Sequence, residues 1–524
     1  MDESSRSGGD LVDRAVKGCA VGLGWAVESA ELADELKGCG SNLFVRRGRL
    51  KIEKCPDVPA HRLAPLVGGP HYARPDLIIP TAGASLRRIL GIAFGIAIAI
   101  GGMIGSGILR TPSLIAAAVP SATLILCLWS VAALHSLLGV NILAELATTY
   151  PKAGGVYVYA RRAFGDVTGL VVGWNDSLAM FAGTAAGSIA FADFLALLVP
   201  QTAPFKPIVA IALQLALYSA NITGLEAGRS IQESTSLIKV VMLVGFVAAA
   251  ASLASSARLV PPAAIAAGGT GTIGRTGVIL AYGMILGAYA GWAYPAYFGE
   301  ETQHPARNIP RAMGIGLLLT ATLYVLINAA LLRALGVHAL ARSVLPFTEV
   351  LARANGSVVA VLFALGAMIT VMSATNSHLM SCARVILALA RDGLLPRPIR
   401  HINSGGSPDF AYLLSAFATI ALAATGSFAI IFGLIAIANT ITGLIINLSL
   451  MRLRRLEPGV ERPFRVWGYP WLPLLLLGID AALLVFFARS NSVGVLFVIG
   501  LAAVCVLYAL VARRTGRAEP VIPR

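Results

Sequence analysis

The sequence predicts an all-α integral membrane protein of about 12 transmembrane helices, and three observations carry that expectation. Hydrophobic residues fill 57% of the 524 positions and charged residues 13%, with a mean hydropathy of +0.77; soluble domains usually carry about 25% charged residues. The apolar segments reach about 20 residues, the length of a bilayer-crossing helix, without the short alternating segments of a β-barrel. Two of them, the first and the sixth, are interrupted by glycine near mid-length.

Hydropathy places the spans near 88–118, 121–148, 165–199, 207–223, 231–254, 275–302, 311–333, 356–390, 410–425, 428–449, 470–488 and 492–513. Spans 3 and 8 exceed one crossing and are expected to tilt or protrude. Residues 86–450 read as a ten-helix core, 451–513 as two additional C-terminal helices and 514–524 as a tail. Residues 1–85 are polar and rich in Gly and Pro, and read as a mostly disordered or weakly helical extension. Their apolar piece GCAVGLGWAV (18–27) is too short to span and lacks the basic leader of a secretory signal.

The net charge of +15 does not point to nucleic acid, because Lys and Arg are spread over short loops. They concentrate in the loops after spans 2, 6, 8 and 10, among them Lys152, Arg161, Arg162, Arg307, Arg311, Arg391, Arg397, Arg400, Arg452, Arg454 and Arg455. That bias predicts both termini to be cytoplasmic in a multi-pass plasma membrane protein. Six cysteines show no C-x-x-C spacing, so neither a disulfide framework nor a metal site is expected. The phosphate-cradling G-x-x-x-x-G-K-[ST] loop is absent from the sequence, as are the His/Asp/Glu clusters of an intramembrane hydrolase. Neither an enzyme nor a cofactor is expected.

Span 1 contains IGGMIGSGIL (100–109), with Gly101, Gly102, Gly105, Ser106 and Gly107 in its middle. Each glycine costs about 1 kcal/mol against alanine in a helix interior, so a break halfway across is predicted. Backbone groups freed at that depth are tolerated only where they are buried in protein or line a cavity. Span 6 repeats the pattern in YGMILGAYAGWAYPAYFGEETQ from Tyr282, with Gly287, Gly291 and Pro295 inside. Two interrupted helices at matching positions predict an inverted five-plus-five repeat with a ligand site near the midplane. The competing explanation is that these glycines only permit close helix packing.

Lys239, in ESTSLIKVVMLVGF, is an ionisable group well inside span 5 and a functional candidate by default. Such a lysine can also shed its proton when desolvated. The alternative is snorkelling toward the interface, with Arg229 and Glu233 nearby. Glu145 ends span 2, and Glu300 and Glu301 end span 6. Together with Arg307 and Arg311 they are candidates for an ion-pair network closing the inner face. Asp176, Asp193, His135, Asn376 and His378 each also read as satisfied interior polar groups.

Five segments carry a family resemblance: MIGSGIL (103–109), AELATTYPKAGGVYVYARRAFG (144–165), GAYAGWAYPAYFGEETQHPARNIPRAM (287–313), SATNSHLMSCARVILALARDGLLP (373–396) and RPFRVWGYP (462–470). In order and spacing they resemble the amino acid–polyamine–organocation transporters, and look closest to the L-type amino acid transporter and serine/threonine exchanger branch. The resemblance implies a LeuT-type fold and secondary transport of amino acids by alternating access.

It also implies roles. Gly105, Ser106 and Gly107 match the family's carboxylate-binding turn. Met103 and Ile104 would supply carbonyls to the substrate ammonium, as would Ala288, Tyr289, Ala290 and Gly291 of span 6. Trp292, Tyr289 and Gly287 would wall the side-chain pocket, although Trp292 reads equally as a packing residue. Gly287 stands where relatives usually carry an aromatic gate, so either Tyr289 serves as lid or the pocket admits bulkier side chains. A lysine matching Lys239 occupies the sodium-site region in sodium-independent members, which leaves exchange and proton symport open. Animal L-type transporters pair with a glycoprotein through a cysteine in the loop between spans 3 and 4. Here PQTAPFKP (200–207) has none, so no disulfide-linked heavy chain is expected. The expected partners are an amino acid substrate and the lipid bilayer. A polyamine or cationic amino acid carrier, using Asp176 or Asp193, and an amino acid sensor that does not transport are the alternatives.

Overall fold

The computed structural model describes residues 43–46, 49–52, 86–253, 274–343, 345–355, 357–424, 428–490 and 492–514. The chain divides into two units, Met1–Gly83 and Ala84–Arg524. In the first, strands Leu43–Arg46 and Arg49–Ile52 form an antiparallel hairpin with Leu43 opposite Ile52. These residues are extended rather than helical; LFVR and RLKI carry Phe, Val and Ile, which favour strands. The rest of the extension, with the apolar piece 18–27, lies outside the described residues.

The second unit is all-α among its described residues. Ten helices are long and apolar enough to cross a membrane, and the shorter apolar helices Asp409–Ala424 and Gly494–Tyr508 complete the twelve. Span 1 is Ile92–Met103 followed by Ser106–Ala118. Spans 2 to 5 are Ala122–Thr149, Asp166–Leu198, Lys206–Thr223 and Leu225–Leu253. Span 6 is Arg275–Tyr289 continued by a 3-10 helix, Ala290–Tyr297. Span 7, Pro305–Arg342, is interrupted at Gly336, whose φ of 74° leaves the helical region. Spans 8 to 12 are Ser357–Arg391, Asp409–Ala424, Phe428–Leu456, Trp471–Ser490 and Ser492–Arg514.

Two short helices were not legible as spans. Val156–Phe164 follows span 2 and Pro346–Asn355 follows span 7; both are too short and too polar to register by hydropathy. Span 5 starts at Leu225, ahead of the expected 231, because the i,i+4 pair Arg229–Glu233 lets a polar turn continue the helix.

The surface is apolar where lipid would lie, with Leu237, Phe417 and Leu496 exposed. The interior holds the polar groups: Gln232, Lys239, Asn328, Asn376 and Arg384 are fully buried. Span 3 packs against spans 8 and 10, and span 7 against spans 1 and 2, which sets the two broken helices in the middle. At one end their chains are laced together. Leu90 N–H donates to Glu301 O at 2.9 Å, and Gln303 N–H donates to Leu90 O at 2.8 Å.

Candidate functional site

The break in span 1 occupies two residues. Ile104 is extended (φ −80°, ψ 96°), Gly105 follows at φ −149°, and the helix resumes at Ser106. No side chain caps the new N-terminus at Gly105, so its first N–H groups lack intrahelical partners. Gly105, Ser106 and Gly107 line a cavity of about 180 Å³. N–H groups pointing into a cavity from a helix N-terminus, with the positive end of its dipole, make a seat for an anion such as a carboxylate.

The carbonyls freed by the same break are collected by the protein. Lys239 Nζ donates to Ile104 O at 2.8 Å and to Gly101 O at 3.2 Å, and its side chain is fully buried. It does not reach the interface, so snorkelling is not its role. Tyr324 of span 7 donates its hydroxyl to Met103 O at 2.6 Å. Gln232 and Ser236, on the same face of span 5 as Lys239, both donate to Ala97 O, at 3.1 and 2.8 Å. Asn376 of span 8 donates to Gln232 Oε1, and Asn221 of span 4 to Asn376 Oδ1. Asn376 is thus a satisfied interior polar group. Sequence reasoning missed Gln232, Ser236 and Tyr324, yet the spacing 232, 236, 239 marks one helical face.

Eight of the residues expected at the substrate site do line the cavity: Met103, Gly105, Ser106, Gly107, Gly287, Ala288, Ala290 and Trp292. Ile104, Tyr289 and Gly291 do not. Ile104 is fully buried with its carbonyl turned to Lys239. Tyr289 is fully buried too, edge-on to Trp129 with ring centroids 5.7 Å apart and beside Tyr324 at 5.2 Å. It packs into an aromatic cluster and is no lid here, because the turn into the 3-10 helix carries its ring away from the cavity. Gly291 faces Gly102: a Cβ on it would fall on the backbone of Gly102 and Met103. The two spans meet here backbone to backbone, and only glycine allows it.

The remaining candidates sort by place. Asp176 lines the cavity and accepts from Tyr297 Oη at 2.7 Å. Asp193 does not line it and pairs instead with Arg110 and with Lys206 at 2.8 Å. His135 and His378 both line it.

The end rich in basic residues is closed by ion pairs, with partners other than those expected. Glu301 takes a bidentate pair from Arg384 of span 8, at 2.8 and 3.0 Å, with both side chains buried. Arg384 also donates to Tyr412 Oη at 2.8 Å and lies over the Phe298 ring at 4.6 Å. Glu300 pairs with Arg391 at 2.7 Å. Glu145 binds Arg454 and Arg462 and accepts from Val466 N–H at 2.7 Å. Arg307 and Arg311 take no part, since they sit on the exposed side of the first turns of span 7. Just beyond span 10, Arg162 and Tyr150 both donate to Glu457. Burial opposes ionisation there, but those donors outweigh it and hold the Glu457 carboxyl below its usual range. Burial and the adjacent Glu457 raise the Tyr150 phenol to about 12.

A family model described as amino acid permease matches residues 95–512. An uncharacterized transporter of Mycobacterium tuberculosis is 30% identical over 341 residues, covering 65% of this chain and 74% of its own. The serine/threonine exchanger of Bacillus subtilis is 26% identical over 453 residues, 83% of this chain and all of its own. Human large neutral amino acids transporter small subunit 2 is 26% identical over 447 residues, 81% of this chain and 80% of its own. With span 1 broken at Ile104–Gly105 and span 6 tightened into a 3-10 helix beside one cavity, inside a twelve-helix, LeuT-type architecture, the chain belongs to the amino acid permease family of transporters, within the amino acid–polyamine–organocation superfamily.

Proposed function

We propose that the protein carries amino acids across the plasma membrane by alternating access, without sodium, as an exchanger or a proton-coupled symporter. The carrying observation is the uncapped helix start at Gly105–Gly107, which lines the cavity and whose free N–H groups suit an α-carboxylate. Ser106 would add its hydroxyl, and Gly287, Ala288 and Ala290 of span 6, which line the same cavity, would face the rest of the substrate. Trp292 lines the side-chain region.

Lys239 supports the sodium-independent reading. Its ammonium already holds the carbonyls of Gly101 and Ile104, the kind of oxygen ligands a hard cation would otherwise collect. The Glu301–Arg384 and Glu300–Arg391 pairs act as the inner gate, with Glu145 and its arginines bracing the same face. That face is cytoplasmic in this reading, as are both termini, which follows from the basic loops.

Counterflow in proteoliposomes tests the proposal. Vesicles are preloaded with unlabelled amino acids, and entry of labelled ones is followed with and without sodium and a pH gradient. Uptake that needs internal amino acid but no ion gradient identifies an exchanger. Uptake into empty vesicles driven only by an inward proton gradient identifies a symporter. Dependence on sodium contradicts the role given to Lys239, and no uptake by folded protein contradicts transport.

A further inference from the structure

The cavity does not end at the broken helices. It continues between spans 2, 6, 10 and 11, and its far wall holds Asp480. Asp480 sits midway along span 11 in LLLLGIDAALLVFF (474–487) and is 6% exposed. Its Oδ1 lies 3.3 Å from His135 Nε2, and His135 Nδ1 lies 3.2 Å from the hydroxyl of Tyr282. With the imidazole proton on Nε2, His135 donates to Asp480 and accepts from the Tyr282 hydroxyl at Nδ1. Among the described residues, Oδ2 has no hydrogen-bond partner. It lies beside Gly443 of span 10, where a Cβ would stand only 2.9 Å away.

An intramembrane carboxylate is expensive and marks function by default. Packing alone does not account for this one, since its neighbours in span 11 are leucine, isoleucine and alanine. The ionisable side chains lining the cavity are two carboxyls, Asp176 and Asp480, and two imidazoles, His135 and His378; among the described residues no lysine or arginine lines it. Tyr282 precedes Gly287 by five residues, about 7.5 Å along a helix axis. Asp480 and His135 thus share one cavity with Gly287 and with the turn at Gly105–Gly107.

We propose that Asp480, held by His135, is a cation-recognising subsite at the side-chain end of the cavity, so that the carrier accepts amino acids bearing an ammonium or guanidinium on a long side chain. This rests on the transport reading above and adds the substrate class to it.

The test is counterflow with labelled lysine and labelled norleucine, its uncharged analogue of similar length, at equal pH on both sides. In the wild type, lysine is expected to enter and to block norleucine entry. In Asp480→Asn, the ratio of inhibitory concentrations should shift against lysine by about tenfold or more. If norleucine enters while lysine neither enters nor competes, the subsite is overturned and amino acid transport stands. An unchanged ratio in Asp480→Asn also overturns it. So does an effect that appears only when a pH gradient is then imposed, which would make Asp480 a proton carrier. Should the variant fail to fold by size-exclusion chromatography, the wild type still decides. There, Nε-acetyl-lysine must compete about tenfold more weakly than lysine, and equal competition overturns the subsite. Entry of no amino acid at all overturns the transport reading, and the subsite with it.

Discussion

Spans 1 and 6 carry the same sequence signal and resolve it differently. Span 1 breaks sharply across Ile104 and Gly105, and its freed carbonyls are taken by Lys239 and Tyr324. Span 6 tightens instead into the 3-10 helix Ala290–Tyr297, whose i→i+3 bonds stay within the chain. Span 1 thus depends on side chains from spans 5 and 7, whereas span 6 takes only a longer contact from Tyr324, to Ala288 O at 3.4 Å, and its buried ion pair lies at its end, where Glu301 meets Arg384. A glycine-rich interruption announces a break. The neighbouring helices decide whether the break stays open.

The largest expected effect is at the end of span 6. Arg384→Met leaves Glu301 buried without its partner, and breaking a buried pair from one side costs about 3–5 kcal/mol. Thermal unfolding in detergent should fall steeply and uptake should be lost; a variant as stable as the wild type would remove this pair from the account. Lys239→Met comes next. It orphans the Gly101 and Ile104 carbonyls, at about 1–3 kcal/mol for each buried group left unpaired. Uptake should drop to background, and no sodium requirement should be needed to explain the loss.

Gly291→Ala probes the contact between the two spans. Its Cβ meets the Gly102 backbone, and overpacking of that kind costs about 1–3 kcal/mol. Gly287→Ala, four residues earlier and facing the cavity, should leave stability nearly unchanged while altering which side chains are accepted. Equal unfolding temperatures for these two variants would erase the distinction between contact and wall. The smallest effect belongs to Tyr324→Phe, which removes the hydroxyl from Met103 O. It leaves one carbonyl unpaired against two for Lys239→Met, so it should cost about 1 kcal/mol, the low end for such a group, and reduce uptake severalfold.

Much of this was legible in the residues because expensive features stand out. Glycine inside a span and lysine inside a span both cost free energy, so Gly101–Gly107 and Lys239 declare themselves. What neighbours them is harder to read. Tyr324 lies in TATLYVLINAA, an ordinary apolar stretch, and only tertiary packing aims it at Met103. Arg307 and Arg311 are near Glu300 and Glu301 in sequence, yet a turn and a helix start point them outward, while Arg384 and Arg391 arrive from span 8. Tyr289 was expected at the cavity, but the 3-10 turn rotates it into the Trp129 cluster. Asp480 escaped notice although the rule that singles out Lys239 applies to it equally. It stands outside the ten-helix core where a ligand site is sought.

The central claim is that the Gly105–Gly107 turn seats the substrate's α-carboxylate. Its most direct test takes whichever amino acid exchanges best in counterflow and compares it, as an inhibitor, with its own amide and with the amine lacking the carboxyl group. The account predicts that losing the carboxylate weakens inhibition by about a hundredfold, roughly 2.7 kcal/mol. Equal inhibition by the amine would contradict it, since a helix N-terminus has nothing to offer a ligand without an anion.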